Sequence, residues 1–348
     1  MGLALHRAGC DVVGYDPDVG RLSAAKERGA IDVAAESMSD AFDGAAVAIA
    51  AVPVAEIAGV VCAALDAGVG CVTDVGSVKA SVVAAVERDR PELLERFVGG
   101  HPMAGSEQIG IMGADADLFT GSTWVLTPTP RSDPAVFAIL RDLIAAVGAE
   151  VIAVDPQRHD ALVAIVSHVP HLAATTLMHV AAGAEGDRAT LLRLAAGGFR
   201  DMTRIAAGQP DIWPDICVTN RDAIVDVLDK YLDELQRVRT LVANEDRESL
   251  LTMLEAAQVA RRALPAAGVG IAQAQVELRI PVPDRPGVLA EVTTLVGRHG
   301  VNITDLEIAH STEGSAGVLV LVIPAVGADE VVHALTALGY RVARTPIE

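Results

Sequence analysis

The chain has 348 residues, with 27 Lys and Arg against 46 Asp and Glu, a formal charge of −19, and 51% hydrophobic residues. That length holds two or three domains, each with its own core. A pI near 4.8 argues against a nucleic-acid binder, because phosphate affinity rests on clustered Lys and Arg.

The opening Met1 to Gly9 reads as the back half of a helix with a Gly cap, so a strand and a Gly-rich turn are expected upstream of Met1. CDVVGYD (10–16) is then a short strand closed by an acid, and 17–29 a helix. β-rich runs follow at 47–53, 70–76, 96–102, 122–128 and 149–155, with helical patterns between most of them. Alternation of this kind predicts a Rossmann-type parallel sheet, apparently missing its first strand, with ligands at the carboxyl ends of its strands. Mean hydropathy is +0.38, and residues 45–65 come closest to a membrane span. Pro53 and Glu56 interrupt that stretch, which reads better as a buried strand and helix, and no membrane association is expected. From 156 to 264 long amphipathic patterns predict an all-helical domain, and 265–275 suits a linker. Residues 276–348 spell βαββαβ, a third domain after a dinucleotide-binding domain at 1–155. Four cysteines without CxxC spacing point to a reducing, cytoplasmic setting and to no zinc site.

Several residues could carry chemistry. Asp16 closes a strand where a dinucleotide fold places the ribose-binding acid, which favours NAD over NADP. A helix cap before Pro17 is the plainer use of the same residue. TDVGSVK (73–79) sets Ser77 past a strand end, where a serine most often caps a helix. GGHPMAGSE (99–107) sets His101 past another, held between Gly-Gly and Pro. SHVPHLAATTL (167–177) presents His168 and His171 three residues apart, without further ligands at metal-like spacing, so no metal is expected. GGFRDMTRIAAGQPDIW (197–213) gathers Arg200, Arg204 and Trp213. An Arg in such an apolar stretch is a structural ion-pair partner or an anchor for a substrate carboxylate. With a chain charge of −19, an anionic substrate needs such an anchor.

These blocks, in this order and spacing, resemble the signature blocks of prephenate dehydrogenases, and VPDRPGVLAEVTTLVGRHGVNITDLEI (282–308) resembles an ACT regulatory domain. The resemblance implies oxidative decarboxylation of prephenate to 4-hydroxyphenylpyruvate with NAD, in tyrosine synthesis. It implies that His101 is the base that takes the ring-hydroxyl proton and that Ser77 hydrogen-bonds it. Arg204 and His171 then bind substrate, supported by His168, Arg200 and Trp213. The cofactor set is Asp16, Val52, Pro53, Asp74 and Gly76. A tyrosine effector is expected at Asp284, Gly287, Asn302 and Ile303, and a homodimer through the helical domain. An arogenate dehydrogenase shares these motifs. A β-hydroxyacid dehydrogenase leaves the ACT segment unexplained. The absent Gly-rich turn motivates a third reading, a non-catalytic tyrosine-sensing protein.

Overall fold

The computed structural model describes residues 1–105, 110–183, 194–195, 197–263, 275–283, 285–310 and 316–347. The chain forms two compact units, Met1–Leu235 and Gln236–Glu348. Most of the expected linker, and Asp284 of the expected effector loop, lie outside the described residues.

The first unit begins with α1 (Gly2–Arg7), which Gly9 closes at φ +84°, a left-handed conformation that suits glycine. The order then runs β1 (Val13–Gly14), α2 (Val19–Glu27), β2 (Val33–Ala34), α3 (Met38–Phe42), β3 (Ala48–Ala50), α4 (Val54–Asp66), β4 (Val72–Asp74) and α5 (Ala80–Asp89). It continues through β5 (Gly99–Pro102), β6 (Thr123–Thr127), α6 (Pro134–Ala146) and β7 (Glu150–Ala153). Strands β1 and β2 pair in parallel, as do β3 and β4, and β6 and β7. A parallel bridge from Val72 to Phe97 joins β4 to the chain entering β5.

One pairing departs from the expected parallel order: β5 runs antiparallel to β6. A parallel return would need a crossover helix, and among the described residues of that connection the only helical piece is a three-residue turn. Strand β2 was not expected, since two residues are too few to show a period. The stretch 45–65 is, as expected, a strand and a helix. Ala48, Ala50, Ile57, Val61 and Leu65 join Val82, Val86 and Phe97 in one core, while Ala4, Leu5, Trp124, Leu126, Leu140 and Ile144 form the other. Alternation along the strands feeds these cores on both faces.

Helix α7 (Pro156–Val163) starts on an Asp155 cap and passes through one widened π-turn, Ala164–His168, into α8 (Val169–Ala182). Pro170 has no N–H to return and would crowd a regular preceding turn, and the wide turn lies directly before it. By length and composition this 27-residue stretch could cross a membrane. Its His159, Asp160 and His168 are instead buried and hydrogen-bonded within the first unit. Helices α9 (Gly197–Thr203), α10 (Trp213–Thr219), α11 (Arg221–Ala243) and α12 (Arg247–Arg262) complete the helical region.

The C-terminal module carries β8 (Gln275–Pro283), α13 (Val288–Arg298), β9 (Asp305–His310), β10 (Ala316–Pro324), α14 (Ala328–Ala337) and β11 (Ala343–Ile347). The four strands form an antiparallel sheet in the order β11-β8-β10-β9, as βαββαβ predicts. Val276, Leu278, Ile280 and Val282 alternate onto the face covered by Val292 and Val296 of α13 and Val331 and Leu335 of α14.

Candidate active site

The site starts from a close approach of two strands. A Cβ on Gly100 would sit 2.5 Å from the Asp74 carbonyl oxygen, and one on Gly99 2.6 Å from Thr127 Oγ1. Gly100 lets β5 press against β4 and Gly99 lets it press against β6, and the first contact sets His101 beside the β4–α5 loop.

Asp74 is fully buried at the end of β4. Its carboxylate accepts the Gly76 N–H (2.9 Å) and the Gly100 N–H (3.1 Å) and pairs with the ammonium of Lys79, itself fully buried. Lys79 Nζ also donates to the Gly100 carbonyl (2.8 Å). Burial pulls the Lys79 pKa down, against the opposing pull of Asp74 and Asp160. Asp74 was expected at the cofactor. In the structure its carboxylate braces the loop, taken up by three donors and closed off from solvent. Gly76, also expected there, folds tightly into the same loop, where a Cβ would meet Ile57 at 2.4 Å.

His101 Nδ1 lies 2.9 Å from His159 Nε2, with the rings edge to face. His159 Nδ1 lies 2.8 Å from Asp160 Oδ1. The Asp160 carboxylate also accepts the backbone N–H groups of Lys79 and Ala80, both at 2.8 Å. These are the first orphan donors of α5, which has no side-chain cap of its own, so Asp160 caps that helix from another element. Asn220 Nδ2 donates to the Asp160 carbonyl (2.9 Å) and approaches His168 Nδ1 (3.1 Å). Burial lowers the His101 pKa to about 2, helped by His159, Lys79 and His168. Burial lowers His168 to about 4, with Asp160 opposing, and also lowers His171. The histidines of this cluster with a resolved shift are thus neutral at working pH.

Trp213 ties the second pair together. Its ring stacks on His171 at 3.5 Å and stands edge-on to His168 at 6.2 Å. Arg204 is exposed and opens the short turn Arg204–Ala207, and Gly208 just beyond it lies against the His171 ring. Arg200 is exposed on α9. Ser77 is half-buried on the β4–α5 loop, and among the described residues it makes no hydrogen bond to His101. Ser106 and Glu107 of the His101 motif lie outside the described residues.

Asp16 and the Val52-Pro53 step lie at the carboxyl ends of β1 and β3, where a parallel sheet binds dinucleotides. One Asp16 oxygen accepts the Asp18 N–H at 2.8 Å, and α4 opens after Pro53 without a side-chain cap. No GxGxxG turn occurs in the 348 residues. Gly287 precedes α13 at φ +90°, Asn302 is exposed, and Ile303 packs against the sheet core of the second unit.

Sequence reasoning missed His159, Asp160 and Asn220 and gave Lys79 no role. A His-Asp pair one turn inside an Asp-capped helix was the available signal.

Three family models match this chain: the nucleotide-binding domain of prephenate dehydrogenase over residues 1–153, its dimerization domain over 155–256, and the ACT domain over 276–341. A prephenate dehydrogenase of Bacillus subtilis is 34% identical over 322 residues, covering 92% of this chain and 86% of that protein. The chain belongs to the prephenate dehydrogenase family. Among solved structures, the Aquifex aeolicus prephenate dehydrogenase in complex with hydroxyphenyl propionate and NAD+ matches with a TM-score of 0.68 at 29% identity. It covers 75% of this chain and 92% of that one. A Synechocystis arogenate dehydrogenase matches with a TM-score of 0.65 at 30% identity, covering 75% and 94%. The prephenate dehydrogenase architecture therefore spans both units.

Proposed function

We propose that the chain is an NAD-dependent prephenate dehydrogenase with His101 as its base. The observation that carries this reading is a neutral imidazole, hydrogen-bonded through Nδ1 and held at a strand end beside a second cluster of His and Trp. NAD+, when bound, supplies the hydride acceptor. His101 takes the ring-hydroxyl proton as hydride leaves the hydroxyl-bearing carbon, and the ring carboxylate departs as CO2 with its bonding pair entering the new aromatic ring. The proton then returns to the phenol oxygen. Aromatisation drives the reaction, so the protein needs only a base, close positioning and carboxylate anchors. Arg204 and His171 serve as anchors, with His168, Arg200 and Trp213 shaping the pocket and Ser77 steering the hydroxyl. Asp16, Val52 and Pro53 would hold the cofactor, and the carboxylate of Asp16 disfavours a 2′-phosphate.

The resemblance of the C-terminal module to ACT domains supports an amino-acid effector, tyrosine, at Gly287, Asn302 and Ile303. Val225, Leu232 and Leu235 lie exposed along one stripe of α11, which supports a homodimer. A cytoplasmic location fits four free cysteines.

The test follows nicotinamide reduction with prephenate and arogenate, each with NAD+ and NADP+. Turnover with prephenate and NAD+ is expected. A preference for arogenate would move the chain to that neighbouring activity, and no turnover with either would overturn the catalytic reading.

A further inference from the structure

Resting on the reading of His101 as the base, we propose that Asp160 is a positioning residue that sets opposite tautomers on two histidines. Through His159 it makes His101 the Nδ1–H form, and through Asn220 it makes His168 the Nε2–H form.

The chain of donors runs one way. An ionised carboxylate only accepts, and Asp160 already takes two backbone N–H groups, so the third group facing it, His159 Nδ1, must bring the proton. A His159 that carries its single proton on Nδ1 has a lone pair on Nε2, and that atom faces His101 Nδ1 at 2.9 Å. His101 must then donate from Nδ1, which leaves Nε2 as a free acceptor, the form a base requires. On the other side, the Asp160 carbonyl can only accept, which orients the Asn220 amide with its nitrogen inward. That nitrogen also meets His168 Nδ1, which therefore accepts and leaves the His168 proton on Nε2. One residue thus prepares a proton acceptor and a proton donor within the same neutral cluster. An amide at position 160 can present N–H to His159 and reverse the first chain, as in triads where Asp→Asn yields the wrong tautomer.

The tautomers are read directly by long-range 1H–15N NMR of the histidine-labelled full chain, with His101→Gln and His168→Gln spectra for assignment. Nδ1–H is expected for His101 and Nε2–H for His168. The reverse form at His101 overturns the proposal even if the enzyme is active, and the expected forms support it even if prephenate proves not to be the substrate. In kinetics, His159→Phe keeps a flat ring, removes both nitrogens and should lower kcat by ~10²-fold, the size of a lost general-base contribution, with KM for prephenate nearly unchanged. His159→Gln, whose carbonyl can accept from His101 and whose N–H can donate to Asp160, should recover much of that loss. Equal turnover of the Phe and Gln variants would mean that the ring only fills space, and would overturn the relay.

Discussion

The C-terminal sheet and the junction around His101 fill their interiors by opposite means. In the sheet, the buried cluster from Val276 to Leu335 is entirely aliphatic. At the junction, Asp74, Lys79, His159, Asp160, His168 and Asn220 are all buried, and each has a named partner. Apolar burial is non-directional and tolerates repacking, so it suits an interior that has only to be compact. Polar burial is directional and severe when incomplete, so it fixes the aim of individual side chains. The difference separates the part that must be compact from the part that must be oriented.

That contrast breaks most sharply at the buried ion pair. Lys79→Ala strands the Asp74 carboxylate and should destabilise the first unit by about 3–5 kcal/mol, the usual result of removing one partner of a buried pair. Denaturant titration would read it, and a loss below ~1 kcal/mol would place water at the site, since an exposed pair contributes no more than that. Leu278→Ala in the sheet should cost about 2–5 kcal/mol through a cavity while leaving the orientation of His101 unaffected. A large fall in kcat per folded molecule would contradict that separation.

His101→Asn should lower kcat by ~10²-fold or more without a matching loss of stability. Near-normal turnover would remove His101 from its role. Arg204→Ala should raise KM for prephenate by about 10-fold or more, as expected for a lost charged hydrogen bond, and leave KM for NAD+ nearly unchanged. Equal effects on both would indicate damage to the fold.

The gentlest probe is acid. His101 and His168 have folded pKa values of about 2 and about 4, below the ordinary 6.5, so the unfolded chain binds protons first. Stability is therefore complete above pH 6.5 and falls as pH drops toward 4 and below. The first unit should lose structure at a higher pH than the C-terminal sheet, whose buried cluster contains no titratable group. Circular dichroism with tryptophan fluorescence separates the two, because Trp124 and Trp213 both lie in the first unit. A sheet that melts first would contradict the assignment.

Local pattern was enough for most of the order of elements, the two-residue β2 excepted. The strand at 48–50, the βαββαβ module and the β-rich run that holds Gly99, Gly100 and His101 all follow from periodicity, Gly placement and short-range sterics, which a linear sequence carries. It was also enough to single out His101, His168, His171 and Trp213, since each stands in a recognisable block. Only the tertiary structure showed that Asp74 braces the loop, because that depends on Lys79 and Gly100 closing around it. Only the fold joined His101 to His159, 58 positions away, and Asp160 to the start of α5, 80 positions away. A hydrogen bond between distant residues leaves no period or spacing in the chain. It exists once β5, α5 and α7 have packed, and its direction is set by which partner can only accept.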